Sequence, residues 1–414
     1  MRSRIALFAL AGTLTAALTL SLSLSACGTT PADPDPSSDS TADGHGAIAG
    51  AEELAEPQLG LTSIDRAGAV THLDLLDESV TDIGEIAAPT AVTTDGRYLF
   101  AQTAEGIEIV DSGVWTWDHV DHFHYYRAAP ALLGAVAGSG DATIATTNLS
   151  TTGGTGVSFA GSGDAVLLDT QALSKGEIRE QFRIEREPHA GLVVPVGSFA
   201  LVTEASAGVG TRVVGYTSDG EPTDLDEPCA APAGTITTRV GAVIGCEGGA
   251  LLAHVDGEEL QVEHIPYPAG TSAPAARSFD NREGRPTVAG LAGTEGIWLL
   301  NTRERSWTLL PAPAPLVHVT AVDDEDGHLL ALAQDGRVLV LDDETGAVIA
   351  GTPPLVAESL AAGATPTLIA DQHRAYLSAP AEHALHEIDY ADAARVARTF
   401  DTTTEPAFAA ETGR

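Results

Sequence analysis

One short segment of the chain carries an unusual density of side chains that can bind a metal ion. It reads V-W-T-W-D-H-V-D-H-F-H-Y-Y-R from residue 114 to 127 and holds three of the thirteen histidines. If the segment is extended, alternate side chains share a face, so His122, His124 and Asp118 point the same way. Imidazole nitrogens and carboxylate oxygens are both zinc ligands. We therefore predict a zinc site on His122 and His124, with Asp118 as a fourth ligand or as the carboxylate that orients a histidine.

The same alternation places His119 and Asp121 on the opposite face of the segment. There they would form either a zinc transfer site or a solvated edge. A competing interpretation makes the whole segment a polar loop with aromatic borders, whose histidines only form hydrogen bonds. The clustering of histidines and aspartates favours a metal. Imidazole ligands suit zinc, and manganese and copper stay open on ligand type alone.

The elements that must carry this segment are strands. Short runs rich in Val, Ile, Leu and Ala recur between turns that contain Asp and Gly, for example at 93–111, 161–169, 325–342 and 371–389. Such turns favour β-hairpins because glycine adopts a positive φ at little cost. A regular series of hairpins without amphipathic helices predicts an all-β protein, a β-propeller of seven blades, with eight as the other count. A β-helix is the competing fold, and it would need shorter and stricter repeats.

The beginning of the chain has the features of an export signal. Residues 1–26 start with two arginines and continue with an apolar run. The sequence Leu24-Ser25-Ala26-Cys27 resembles the lipobox of bacterial lipoproteins, which implies lipidation of Cys27 and attachment to the outer face of the cell membrane. An ordinary secretory signal is the alternative. Residues 27–56 are rich in Pro, Ser, Asp and Gly, which predicts a disordered tether and leaves 57–414 for the propeller.

Composition limits the classes of partner. The chain has 21 Lys and Arg against 58 Asp and Glu, a formal net charge of -37. Such a charge argues against nucleic acid as a partner. Two cysteines remain besides Cys27, and in an exported protein Cys229 and Cys246 are predicted to form a disulfide. Two free buried thiols are the alternative.

Several segments together resemble the AztD-type zinc chaperones. They are D-H-V-D-H-F-H-Y-Y-R at 118–127, H-A-G-L-V-V-P-V-G at 189–197, the pair of cysteines, and the ending from R-A-Y-L-S to H-E-I-D at 374–389. The resemblance covers most of the chain after about residue 57 and is most specific at 118–127. It implies an exported β-propeller that binds Zn²⁺ and delivers it to the solute-binding protein of a zinc ABC importer. We expect the protein to act as a monomer.

The resemblance also assigns ligand roles. His122 and His124 match the family's His-x-His, and His189 matches the first position of a His-His-Gly-like segment in which Ala190 replaces the second histidine. His189 would complete a three-histidine site if its blade adjoins that of 114–127; a hydrogen-bonding histidine is the alternative. Relatives also carry a histidine soon after the first of the paired cysteines and a His-rich N-terminal region. In this chain no histidine follows Cys229 closely, and the N-terminal region has only His45. These differences argue against a secondary zinc site and leave the prediction of the primary site unchanged.

Reversible ligation by neutral imidazoles is the mechanism that these residues predict. Nitrogen ligands release zinc to a partner more readily than thiolates do, and zinc binding should weaken as the pH falls through the imidazole range. The alternatives are a zinc-dependent hydrolase, in which the ion activates water, and an interaction scaffold without metal. Since the sequence contains no G-x-S-x-G nucleophile motif and no recognisable general-base Glu motif near the cluster, we predict that the protein is not an enzyme.

Overall fold

The structure of the protein is a computed structural model that describes residue 48, residues 50–118 and residues 122–414. The predicted export signal, Cys27 with its lipidation, His45, His119 and Asp121 lie outside the described residues. Within them, no helix is long and apolar enough to cross a membrane.

The described part of the chain folds into antiparallel sheets, with two short helices. The strands of the first half are β1 (Glu52–Leu54), β2 (Gly60–Ile64), β3 (Ala69–Asp74), β4 (Val80–Glu85), β5 (Ala91–Thr94), β6 (Tyr98–Thr103), β7 (Gly106–Asp111), β8 (Val114–Asp118), β9 (Phe123–Arg127), β10 (Ala131–Ala137), β11 (Ala142–Ala145), β12 (Gly154–Phe159), β13 (Asp164–Asp169), β14 (Glu180–Glu185), β15 (Val193–Val196), β16 (Phe199–Ser206), β17 (Val209–Thr217) and β18 (Pro222–Pro228). Helix α1 (Thr170–Leu173) follows β13.

The second half continues the same pattern. Its strands are β19 (Thr235–Thr237), β20 (Ala242–Cys246), β21 (Gly249–Asp256), β22 (Glu259–Pro266), β23 (Thr287–Ala292), β24 (Gly296–Asn301), β25 (Ser306–Pro311), β26 (Leu316–Ala321), β27 (His328–Ala333), β28 (Val338–Asp342), β29 (Val348–Gly351), β30 (Leu368–Ala370), β31 (Ala375–Ala379), β32 (Ala384–Asp389), β33 (Arg395–Asp401) and β34 (Phe408–Thr412). Helix α2 (Ala357–Ala361) lies between β29 and β30.

Eight sheets of three or four strands follow one another along the described chain, in a propeller-like arrangement. The sheets are β34-β2-β3-β4, β10-β7-β6-β5, β11-β12-β13-β14, β15-β16-β17-β18, β19-β20-β21-β22, β23-β24-β25, β26-β27-β28-β29 and β30-β31-β32-β33. The last strand, β34, pairs antiparallel with β2 from Gly60↔Thr412 to Ile64↔Phe408. The first sheet therefore contains both an early and the final strand of the domain, which joins the two ends of the series. The prediction of an all-β fold is confirmed.

Burial explains the repeated pattern in the sequence. The middle strands of the sheets, such as β20 and β27, are buried along their whole length, whereas outer strands such as β18 alternate between exposed and half-buried residues. A strand covered on both faces needs a continuous apolar run, and a strand with one solvated face needs alternation. The apolar clusters that result lie between neighbouring sheets: one joins β27 and β28 to β31 and β32, and another joins β15 and β16 to β20 and β21.

The disulfide prediction is confirmed. Cys229 follows β18 directly and Cys246 ends β20, and their sulfurs are bonded with the two Cα atoms 5.2 Å apart. The bond joins two consecutive sheets of the series. Both cysteines are buried in the apolar cluster between these sheets.

The predicted boundary of the tether is wrong at its C-terminal end. Residues 52–54 form strand β1, which pairs antiparallel with β9 from Glu52↔Arg127 to Leu54↔Tyr125. Together with β8 these strands make a separate three-stranded sheet. Composition suggested disorder because the segment is polar and short, but its strand is stabilised by a partner more than seventy residues away in the sequence.

Candidate functional site

A β-hairpin carries the histidine-rich segment. It is inserted between β7 and β10 of one sheet and consists of β8 and β9, with Trp117 opposite His124 and Asp118 opposite Phe123. The prediction of one continuous extended segment is therefore wrong, because the chain reverses between Asp118 and Phe123. No glycine or proline marks this reversal in the sequence. Since paired residues share a face, Asp118 belongs to the face of Phe123 and not to that of His124.

His122 and His124 nevertheless lie side by side. His122 immediately precedes β9, and the centroids of the two rings are 4.6 Å apart with an angle of 61° between the ring planes. His122 is exposed, and the neighbouring Phe123 has 56% of its surface exposed. His122 is thus accessible at the end of the hairpin, whereas His124 is half-buried, with 19% of its side chain exposed.

Glu53 on β1 orients one of these rings. Its Oε1 lies 2.6 Å from Nδ1 of His124. A carboxylate only accepts hydrogen bonds, so in the neutral ring Nδ1 carries the proton and donates it, which leaves the lone pair on Nε2. A carboxylate behind a histidine is the usual way in which proteins fix the tautomer of a metal ligand. Burial, and then the nearby Glu53 carboxylate, raise the pKa of Tyr126, the residue paired with Glu53 across the two strands.

An aromatic layer holds the hairpin against the propeller-like domain. The rings of Trp115 and Tyr126 stack with centroids 5.4 Å apart, and both are almost fully buried. The guanidinium of Arg97 lies 3.8 Å from the centroid of Trp115 and donates two hydrogen bonds, of 2.9 and 2.7 Å, to Asp111. Cation–π contact and a bidentate ion pair both depend on this one buried arginine. The histidine-bearing end therefore projects from a rigid base.

His189 lies at a different place in the hydrogen-bond network. Its Nδ1 is 2.7 Å from the carbonyl oxygen of Glu187, so Nδ1 donates. Its Nε2 must then accept, and the hydroxyl of Thr203 donates to it at 2.9 Å, while Leu192 N–H donates to the same hydroxyl oxygen. Both ring nitrogens of this buried residue are engaged by the protein. A side chain at Gly191 would approach Nε2 to 2.9 Å, which explains the glycine two positions later.

The predicted ligands are not all brought together. In the part of the chain that the structure describes, no group of three or more His, Cys, Asp or Glu side chains is placed to hold a metal ion. His122 and His124 are adjacent, Asp118 lies on the other face of the hairpin by register, and His189 is not grouped with them. His119 and Asp121 are outside the described residues. The ligand roles of all six residues stay predictions.

Comparisons with known proteins identify the fold. No family model matches the chain, and no curated protein matches it. The crystal structure of AztD from Citrobacter koseri aligns with a TM-score of 0.75 at 20% identity, covering 87% of this chain and 99% of that one. The chain has the AztD fold. The structure of apo AztD from the same organism aligns with a TM-score of 0.73 at 19% identity, covering 86% and 98% of the two chains.

The AztD fold alone does not decide the chemistry. The dihydro-heme d1 dehydrogenase NirN, in complex with DHE, also aligns, with a TM-score of 0.52 at 14% identity over 85% of this chain and 75% of its own. Unrelated functions share one fold, so function must be argued from the site.

Sequence reasoning missed Glu53 and Arg97 in this site. Glu53 was assigned to the tether, because the pairing of β1 with β9 spans more than seventy residues and leaves no local pattern. Arg97 stands in an Asp-Gly-Arg turn that resembles Asp335-Gly336-Arg337, whose arginine side chain is 41% exposed. Asp111 at the end of β7 could have indicated the role of Arg97, because a buried carboxylate requires a cation as its partner.

Proposed function

We propose that the protein is an extracytoplasmic zinc-binding metallochaperone that delivers Zn²⁺ to the solute-binding protein of a zinc ABC importer. The observation that supports it is the pair of adjacent imidazoles, of which His124 is oriented by Glu53 at 2.6 Å. The AztD fold, together with the resemblance at 118–127, is the reason for proposing that the ion is zinc and that it passes to a solute-binding protein. A chaperone must release its cargo, which suits nitrogen ligands, and His122 is exposed.

The geometry of the pair fits one shared ion. Zinc binds imidazole nitrogen at about 2.0 to 2.1 Å in a tetrahedral arrangement, which places the centroids of two ligand rings roughly 5 Å apart. The rings of His122 and His124 are 4.6 Å apart. We propose that Nε2 of His124 and a nitrogen of His122 bind the ion and that Asp118, His119 and Asp121 of the same hairpin supply or support the remaining ligands. His189 is left out of this set because both its nitrogens already have partners.

We also propose a location for the protein and a blade number. Lipidation of Cys27 would tether the domain to the outer face of the cell membrane, and the protein would act there as a monomer. Each of the eight successive sheets counts as one blade, so we propose eight blades where the sequence favoured seven. The hairpin then stands outside the ring of blades, accessible to a partner protein.

Zinc titration tests the binding site. We expect the wild-type protein to bind one Zn²⁺ in competition with a chromophoric chelator and the His122→Ala/His124→Ala variant to lose at least about 100-fold in affinity, since each lost ligand removes a metal bond. The matched control is His373→Ala, which removes an exposed histidine elsewhere. Equal affinity in the double variant and the wild type would refute the site.

Zinc transfer tests the function. The zinc-loaded wild-type protein is mixed with the metal-free solute-binding protein of a zinc importer, and the ion is followed by its effect on the acceptor's tryptophan fluorescence. Transfer faster than release to a chelator of equal affinity supports direct delivery. Transfer at the rate of spontaneous release, or hydrolysis of ester and phosphate substrates by the zinc-loaded protein, would argue for a zinc store or for a hydrolase.

A further inference from the structure

A cavity of about 530 Å³ lies among several of the sheets. Its wall is formed largely by the first strands of the sheets, including β5, β11, β19 and β30, and by β34. Along β5 the side chains change from exposed at Thr90 and Ala91 to buried at Asp95. The cavity thus has a mouth where the inner strands begin and an inner end near Asp95.

The hairpin with the candidate zinc ligands is linked by hydrogen bonds to the chain beside this inner end. Thr116 of β8 donates a hydrogen bond of 2.8 Å to the carbonyl of Gly413, whose N–H donates to the carbonyl of Gly96 at 2.9 Å. The following residue, Arg414, lines the cavity, and a side chain at Gly96 would come within 3.2 Å of its Cγ. The hairpin, the last strand and the β5–β6 turn are therefore joined at one point.

Most charged groups of the inner end are paired. Arg414 contacts Glu283 at 2.6 Å and Glu411 at 3.2 Å, and nearer the wall of β26 the ring of His318 contacts Asp280 at 2.7 Å. Within the inner end, one guanidinium is thus shared between two carboxylates. Glu283 and Arg414 keep about a quarter of their side-chain surface accessible because they face the cavity.

Asp95 is held by backbone groups instead, and like Glu411 it keeps one buried oxygen without a hydrogen-bond partner among the described residues. Its Oδ1 accepts hydrogen bonds from the backbone N–H groups of Arg97 and Tyr98, at 3.0 and 2.7 Å. Its Oδ2 has no hydrogen-bond partner among the described residues, although the residue lines the cavity and is only 7% exposed. A buried carboxylate oxygen without a partner is costly. Burial, opposed by these two backbone hydrogen bonds and reinforced by the charge of Glu283, raises the pKa of Asp95 to about 7.

We propose that this cavity binds a small organic cation with an ammonium or guanidinium group, and that Oδ2 of Asp95 accepts a hydrogen bond from it. A volume of about 530 Å³ is typical of small-molecule sites. The threonine hydroxyls of the wall supply further hydrogen-bonding groups, and Arg414 demonstrates that the inner end accommodates a guanidinium. These threonines include Thr90, Thr93, Thr235 and Thr365.

An organic cation fits better than a metal ion. A metal requires several donors at one point, and in the described residues no three carboxylates or histidines are so placed. Asp280 and Glu283, which also line the cavity, are instead paired with His318 and Arg414, so they are not available to share a metal ion with Asp95. This inference does not depend on the zinc proposal, because none of the candidate zinc ligands lines the cavity.

Calorimetric titration of the full-length protein with putrescine and agmatine tests the proposal, with 1,4-butanediol as the neutral analogue of putrescine. At concentrations up to about 10 mM, we expect at least one of the two amines to bind and the diol to give no heat of binding. Asp95→Asn should weaken amine binding about 10-fold or more. This variant keeps the Oδ1 acceptor, so the β5–β6 turn is preserved, and thermal unfolding verifies its fold.

The control is Asp219→Asn, which removes one negative charge from an exposed turn outside the cavity. It should bind the amine as the wild type does. Equal weakening in both variants would mean that only the net charge matters and would overturn the site. Binding of the diol as tightly as putrescine, or absence of any amine binding to the wild type, would overturn it as well, whether or not Asp95→Asn folds.

Discussion

Glu53 and His124 are joined by a 2.6 Å contact between Oε1 and Nδ1, across 71 positions of sequence. Strand β1 brings the carboxylate to the ring by pairing with β9. The contact determines which nitrogen of His124 carries the proton and which carries the lone pair that could bind a metal ion. The segment that enters the domain is therefore part of the candidate zinc site and also covers one edge of the hairpin.

Removing this carboxylate should weaken zinc binding without unfolding the protein. We expect Glu53→Ala to lower zinc affinity about 10- to 100-fold, because the ring loses the acceptor that fixes its tautomer. Glu53→Gln keeps an acceptor oxygen, so its zinc affinity should lie between those of Glu53→Ala and the wild type. Chelator competition measures the affinity, and the ¹⁵N chemical shifts of the His124 ring report the tautomer in the metal-free protein. Glu52→Ala is the control, since Glu52 alternates to the other face of β1. A wild-type tautomer in Glu53→Ala would contradict the positioning role.

His189→Ala should change stability and not zinc binding. The substitution leaves the carbonyl of Glu187 and the hydroxyl of Thr203 without their buried partner, a loss of roughly 1 to 3 kcal/mol in the free energy of unfolding. Denaturant unfolding and the chelator assay measure the two properties. If zinc affinity falls tenfold or more while His373→Ala has no effect, His189 is a ligand, as the sequence resemblance implies, and the set proposed here is incomplete.

Arg97 should be the residue on which the base of the hairpin depends most. Arg97→Ala leaves Asp111 buried without its cation and Trp115 without its covering guanidinium, so we expect destabilisation by about 3 to 5 kcal/mol. Arg337→Ala is the matched control, because that arginine occupies the same kind of turn and its pair with Asp335 is exposed; its loss should cost less than about 1 kcal/mol. Similar unfolding midpoints for the two variants would contradict this account.

Two buried carboxyl groups, Asp95 in the cavity wall and Glu411 beside Arg414, should make the stability fall as the pH rises. Burial raises the pKa of Asp95 to about 7 and that of Glu411 to about 8, both above the ordinary values of 3.8 and 4.5. At pH values between the ordinary and the raised pKa of each group, the folded protein holds a proton that the unfolded chain has released. Their stabilising contribution is complete below about pH 4 and is lost as the pH rises through 7 to 8.

Thermal unfolding from about pH 5 to pH 8.5 measures this dependence. The Asp95→Asn variant lacks one titrating group, so its free energy of unfolding should change less steeply with pH, by on the order of 1 kcal/mol per pH unit below pH 7. Asp219→Asn should follow the wild type, which separates the buried group from the general effect of the net charge. Parallel curves for Asp95→Asn and the wild type would show that Asp95 is ionised in the folded protein.

Much of the fold follows from local patterns in the chain. Apolar runs and Asp-Gly turns such as Asp335-Gly336 identify strands and hairpins, because burial on both faces and a positive φ each require particular residue types. Cys229 and Cys246 could be paired because only two cysteines remain beside the predicted lipidation site. The resemblance to AztD rests on several short segments, and His122 and His124 are one residue apart, so both the fold and this pair of neighbours are accessible from sequence.

The remaining features depend on contacts between distant parts of the chain. The reversal between β8 and β9, which moves Asp118 away from the face of His124, has no glycine or proline to mark it. Glu53 reaches His124 only because β1 pairs with β9, and Asp95, Glu283 and Arg414 meet only where the inner strands converge. Periodicity reports which face of a strand a residue occupies, and only tertiary pairing decides which strands, and therefore which charges, face one another.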